Sequence, residues 1–194
     1  MNTANERTQP TGMSTTIYDS GRVRVMVDTV RFPDGSEGEQ VQVTPGGDAG
    51  PGVGIVAVAA SGRIAFVEQY RYVVDTVTLE LPRGRGTAEE APRSAAAREL
   101  LEETALTARQ WQDLGWLWHD TGHRTDRVWV FAATGLDDAE QPAGCWEVER
   151  VRWLTPQQVV DLIAAGQIRC GVTLMLLARA EVSGVLTLPV AAGP

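Results

Sequence analysis

Three glutamates crowd one short stretch, "RELLEETAL" at residues 98–106: Glu99, Glu102 and Glu103. On a helix, which turns by about 100° per residue, positions i, i+3 and i+4 fall in one narrow sector. Like charges at that spacing destabilise an isolated helix by about 0.2–0.5 kcal/mol per pair. Two readings compete: a solvated acidic face, or a carboxylate cluster that collects a hard divalent cation. Mg2+ suits the second, because it takes oxygen ligands, keeps several waters and bridges to substrate phosphates. Ala96, Ala97, Leu100 and Leu101 supply the apolar side that would pack such a helix on a sheet.

The rest of the composition narrows the chemistry. All seventeen basic residues are Arg. A chain without Lys has no Schiff-base amine and no phosphate-binding P-loop. The formal net charge of −8 argues against a general nucleic-acid or anionic-membrane binder. Only Cys145 and Cys170 are present and they form no CxxC, which is expected of a reduced, cytoplasmic protein. No stretch approaches the roughly 18 apolar residues of a membrane span, and the first residues lack the apolar core of a signal peptide.

The elements that must position the glutamates follow from periodicity. Residues 1–16 are polar and are expected as a disordered tail. "GRVRVMVDTVRF" and "EQVQVT", separated by the turn "PDGS", alternate as strands and predict a small antiparallel subdomain over residues 17–48. The Gly/Pro-rich "PGGDAGPGVG" suggests a linker into a main domain over residues 49–188. There, "IVAVAA" and "RIAFVEQYR" predict core strands joined at Ser61–Gly62, and "TVTLELP" predicts a further strand. Residues 92–104 predict a helix with Pro92 in its first turn. Strands at "WQDLGWLWH" and "DRVWVFAATGL" bracket the polar loop "DTGHRT", and "EVERVRWLT" predicts one more. Thr155 is a plausible N-cap for "PQQVVDLIAAG", before a last helix "GVTLMLLARAE". Mixed strands and helices without a regular βαβ rhythm predict an α+β fold with a mixed sheet. All six tryptophans lie between residues 111 and 153, with core packing as their expected role and nucleobase stacking by one of them as the alternative.

Widening the window around the acidic stretch gives "GRGTAEEAPRSAAARELLEETAL", which fits the Nudix box G-x5-E-x7-R-E-U-x-E-E-x-G-U, where U is a bulky aliphatic. The matching residues are Gly84, Glu90, Arg98, Glu99, Leu100, Glu102, Glu103 and Leu106. Each charged type makes up roughly 6% of average sequence, so chance does not assemble this pattern. The chain is therefore identified as a member of the Nudix family. Ala105 stands where the family has a glycine; a left-handed backbone there costs Ala on the order of 1 kcal/mol.

The resemblance implies an α/β/α sandwich around a mixed sheet and hydrolysis of a nucleoside diphosphate linked to another group. It implies Mg2+ or Mn2+ held by Glu99, Glu102 and Glu103, with Gly84 letting the loop approach and Arg98 orienting the carboxylates. Glu90 would support the loop–helix junction or an outer metal shell. Upstream, "FVEQYRYVVDTVTLELPRG" resembles the ADP-ribose pyrophosphatase group, whose members form homodimers through an N-terminal β-subdomain. In that likeness Arg71 and Glu80 contact the nucleoside half of a nucleotide-sugar substrate. The alternatives are a surface ion pair for Arg71 and a solvated strand end for Glu80. Arg83 replaces a small residue and would narrow or recharge the pocket, and Thr121 stands where many of the group place a proline. His119 and His123 are read as phosphate or sugar contacts, as solvated loop residues, or as a poorly supported metal pair. A base for water is expected from Glu147, from Glu149, or from Glu103 itself. Other readings are a different nucleoside-diphosphate substrate, or a sensor that binds ADP-ribose without cleaving it.

Overall fold

The structure is a computed structural model that describes residues 7–190. Three antiparallel strands, β1 (Gln9–Asp19), β2 (Val23–Arg31) and β3 (Glu37–Pro45), form an N-terminal meander. β1 starts inside the stretch expected as a disordered tail, which corrects that expectation for residues 9–16. It pairs with β2 from Gln9↔Arg31 to Asp19↔Arg24. The backbone ladder compensates for a strand whose side chains are nearly all exposed. Residues 1–6 lie outside the described residues.

The glycine-rich stretch expected as a linker holds the start of β4 (Ala49–Ala57), one of the two inner strands of the main sheet. β4 pairs antiparallel with β7 (Arg83–Thr87) and parallel with β9 (Arg127–Asp138), which pairs antiparallel with β8 (Leu106–Trp118). The sheet order is thus β7-β4-β9-β8, mixed as expected. A second antiparallel sheet has the order β10-β5-β6, with β5 (Ile64–Arg71), β6 (Thr76–Glu80) and β10 (Arg150–Leu154). The two sheets are joined by the Val58↔Ile64 bridge and by the Ile55 N–H donating to the Pro82 carbonyl at 2.9 Å.

Two apolar cores flank these strands. On one side Val53, Ile55, Ala65 and Phe131 meet Ala95, Ala96 and Leu100 of helix α1 (Pro92–Thr104). On the other, Val56, Phe66, Leu81 and Val130 meet α2 (Pro156–Ala164) and α3 (Gly171–Val182) through Val159, Leu176, Leu177 and Ala180. Burying such side chains is the main favourable term, about 25 cal/mol per Å2 of apolar surface. Thr155 caps α2: its hydroxyl accepts from the Gln158 N–H, and the Gln158 side chain accepts from the Thr155 N–H. The packing face of α1 is Ala95, Ala96 and Leu100, whereas Ala97 and Leu101 are only half-buried.

Three of the six tryptophans, Trp111, Trp129 and Trp153, pack against the core on the α1 side. Trp111, Trp116, Trp129 and Trp153 are half-buried, and Trp118 and Trp146 are 46% and 85% exposed. Trp116 and Trp118 leave β8 on the same side and pack edge-to-face, their ring centroids 4.7 Å apart.

Candidate active site

β7 reads Arg-Gly-Arg-Gly-Thr and lies between β4 and the acidic face of α1. Its glycines let the helix come close. A Cβ on Gly84 would lie 2.0 Å from the Glu99 carboxyl carbon, nearer than any real contact, so Gly84 is required for Glu99 to rest against the strand. The Arg85 N–H then donates to Glu99 at 3.1 Å, and the Arg83 N–H donates to Glu103 at 2.9 Å. Arg98 spans Glu90 (3.1 Å), Glu99 (3.0 Å) and Glu102 (2.7 Å) and donates to the Arg85 carbonyl at 3.1 Å. Hydrogen bonds to Glu90 and the charges of Glu99 and Glu102 hold its guanidinium above the usual arginine range. The crowded glutamates are therefore partly neutralised by their own arginine.

Glu103 is the exception. It is 7% exposed, and burial pushes its carboxyl up to about 8; the charge of Glu99 adds to this, while the Arg83 N–H and the charges of Arg71 and Arg83 oppose it. Burial also raises Glu99, with Glu102 adding to the effect. Desolvated carboxylates side by side are short of positive charge, and a divalent cation meets that need. Among the described residues, no three or more acidic, histidine or cysteine side chains converge closely enough to hold a metal ion by themselves. The donor set suits an ion that keeps waters and takes further oxygens from a phosphate.

A cleft of about 1020 Å3 opens over β7 and α1. Arg71, Arg83, Gly84, Arg98, Glu99, Glu102, Glu103 and Glu147 all line it, whereas Glu80, His123 and Glu149 do not. At one end Glu80, 2% exposed, anchors two guanidiniums. Arg71 donates to both its oxygens at 3.0 and 2.8 Å, Arg83 donates at 2.8 Å, and the Thr78 hydroxyl donates at 2.7 Å. Burial opposes the charge on Glu80, but these hydrogen bonds and the Arg83 charge outweigh it and hold the carboxyl at about 2. Glu80 is thus no solvated strand end, and Arg71 is both an ion-pair residue and a cleft wall.

The two candidates for the base separate. Glu147 lies on the cleft rim, in the segment between β9 and β10, whereas exposed Glu149 does not line the cleft and its N–H continues the ladder to Glu68 at 2.8 Å. His123 is also outside the cleft wall. Its exposed ring stands 3.6 Å from Asp120, and its carbonyl accepts from the Val43 N–H at 2.7 Å. His119 does line the cleft. Sequence reasoning missed Arg22, Arg85, Arg124 and the buried Asp126 that pairs Arg85 with Arg124. Only the period-two spacing of Arg85 from Arg83 along β7 signalled any of them.

The comparisons with known proteins agree with this geometry. A family model described as the NUDIX domain matches residues 48–170. A methanol dehydrogenase activator of Bacillus methanolicus is 33% identical over 133 residues, covering 68% of this chain and 70% of that protein. An ADP-ribose pyrophosphatase of Mycobacterium tuberculosis is 36% identical over 130 residues, 66% of this chain and 61% of that protein. A crystal structure of an ADP compounds hydrolase superposes with a TM-score of 0.76 over 90% of this chain and 94% of that one, at 19% identity, which establishes the shared fold. The chain belongs to the Nudix family and is a hydrolase of its pyrophosphatase kind.

Proposed function

We propose that the protein hydrolyses the diphosphate bond of ADP-ribose or a related nucleoside diphosphate sugar, giving a nucleoside monophosphate and a sugar phosphate, with Mg2+ or Mn2+ as cofactor. The observation that carries this reading is the juxtaposition in one cleft of the desolvated Glu99 and Glu103 with guanidiniums anchored on buried carboxylates. Glu99, Glu102 and Glu103 are the residues that would hold the cation, and when bound it would neutralise diphosphate oxygens and acidify a water. Gly84 leaves the room that this approach needs, and Arg98 fixes the carboxylates. Arg71 and Arg83, locked by Glu80, face the nucleotide. Glu147 takes the proton from the attacking water; Glu149 would need to swing out of its strand-end position to do so. The M. tuberculosis relative supports ADP-ribose as the substrate.

Arg83 and Thr121 support a second reading, a different nucleoside diphosphate linked to another group. The B. methanolicus relative carries a different role on a similar chain, so likeness alone does not select the substrate. We place the protein in the cytoplasm as a homodimer joined through residues 17–48 and β1; Met13, Ile17, Tyr18 and Val41 of this sheet are exposed apolar side chains. Among the described residues no helix is long and apolar enough to cross a membrane. Turnover of a nucleotide-sugar panel with Mg2+ tests the function: nucleoside monophosphate and sugar phosphate should appear together. Tight ADP-ribose binding without product from any panel member would sink the proposal.

A further inference from the structure

The cleft has two arginine nodes, and the proposed chemistry uses only one. β7 sends Arg83 to Glu80 and, two residues on, Arg85 to Asp126, so the strand spaces the nodes by about 7 Å of rise. The second node copies the first. Asp126, 6% exposed, anchors Arg85, and Arg124 donates to it at 2.9 and 3.1 Å. Arg85 also donates to the Gly50 carbonyl at 3.1 Å. One carboxylate under two guanidiniums leaves a fixed net positive charge in the wall. Arg124 Nη1 and Arg85 Nε make no hydrogen bond among the described residues, and both side chains are partly exposed in the cleft.

Two neighbours strengthen the case. His119 lines the same part of the cleft, near Asp126, Arg124 and Arg85, and its Nδ1 is a buried polar atom with no hydrogen-bond partner among the described residues. Arg22, at the β1–β2 turn, reaches the rim without an ion-pair partner among the described residues. The turn that carries it is held close: a Cβ on Gly46 would lie 2.0 Å from the Gly21 carbonyl oxygen.

We infer that the Arg85–Asp126–Arg124 node, with His119 Nδ1 and Arg22 beside it, receives an anionic group on the half of the substrate beyond the diphosphate: a carboxylate, phosphate or phosphonate on the distal group. The inference rests on the diphosphate reading above and on its placing of the nucleoside half at Arg71 and Arg83, which Glu80 anchors. The diphosphate then spans the carboxylates of α1, and the far node meets the other half. Arg124 supplies charge-assisted donors in a fork held by Asp126, the geometry that suits a planar or tetrahedral oxyanion.

A matched pair of ligands tests this, UDP-glucose against UDP-glucuronate, which differ by one distal carboxylate while the nucleoside half cancels. Affinities are measured by calorimetry on the full chain with Ca2+, another hard oxygen-liganded cation, in place of Mg2+, and each sample is assayed for product afterwards. The wild type should bind the glucuronate more tightly by roughly tenfold, the scale of a hydrogen bond to a charged group. Arg124→Gln should reduce that ratio to below about threefold, and Arg124→Lys, which keeps charge without the fork, should fall between. A wild-type ratio near one, no measurable binding of the glucuronate, or a ratio unchanged in Arg124→Gln overturns the inference. Equal weakening of both ligands by Arg124→Gln would assign the node to the diphosphate itself, which also overturns it. Hydrolysis is scored separately: anion preference without product defeats the pyrophosphatase reading alone, and product without preference defeats this one alone.

Discussion

Glu147 and Glu149 are two residues apart and chemically identical, yet only Glu147 meets the cleft. If Glu147 takes the proton from water, Glu147→Gln should lower kcat by about 100-fold or more while KM changes little, because general-base catalysis contributes about that much. Glu149→Gln should leave both within a few-fold. Steady-state kinetics on the best panel substrate decides, and the reverse pattern moves the base to Glu149. Glu80 raises a different question, because its carboxyl sits at about 2 instead of 4.5. A depressed carboxyl contributes stability that is present above pH 4.5 and is lost as the pH falls toward 2. Glu80→Gln leaves two guanidiniums sharing a neutral amide, and should cost on the order of 2–3 kcal/mol at neutral pH. Urea titrations at pH values on either side of that window should show the mutant's deficit shrinking with acid. A deficit independent of pH would mean that packing and not charge gives Glu80 its value.

At the scale of elements, the junction of α1 with the strands around it carries the most specific expectations. Ala105 closes α1 with φ 56° and ψ 32°, and its N–H donates to the Leu101 carbonyl at 2.9 Å. The left-handed backbone anticipated as a cost is therefore present. Ala105→Gly should raise stability by about 0.5–1 kcal/mol, read as a higher urea midpoint at unchanged slope. Gly84→Ala should do the opposite at the other side of the helix: its Cβ has no room beside the Glu99 carboxylate, so Glu99 must leave β7. The expected outcome is a folded protein with turnover reduced by up to about 100-fold, the cost of misplacing a site group by about 1 Å. Full activity in Gly84→Ala would mean that Glu99 is free to move. These same elements show where local pattern is informative. α1 was legible because its spacing of Glu, Arg and Leu is periodic, and Thr155 because capping is a local interaction. β1 was missed because Gln-Pro-Thr-Gly carries no alternation; its backbone ladder, the Thr11 hydroxyl donating to the Thr29 carbonyl and the Asp19–Arg24 ion pair hold it to β2, and none of these shows in local pattern. β7 was missed because Arg-Gly-Arg-Gly-Thr has no apolar residue, and the second node because Arg85, Arg124 and Asp126 meet only after β7, β4 and β9 pair.

Across the whole molecule, the acidic site sets its own stability against its readiness for a cation. Glu103 has a folded pKa of about 8, above the 4.5 of an ordinary Glu. Its contribution to metal-free stability is full below about pH 4.5 and is lost as the pH rises through about 8, because folding then buries a charge. This window lies above that of Glu80, so the two effects separate on one pH axis. Binding a divalent cation at the ionised carboxylate releases the proton, so Mg2+ has little to bind in acid and most to stabilise near the top of the window. Melting curves should therefore show the metal-free protein weakening from about pH 5 to about pH 8, and a Mg2+-induced rise in Tm that grows over the same range. Glu103→Gln should flatten both trends and make the metal-free protein more stable than wild type at about pH 8, since it replaces a buried anion with a neutral group of the same shape. A Mg2+ shift in Tm that is constant with pH, or unchanged by Glu103→Gln, would remove Glu103 from the metal site and leave its burial without a function.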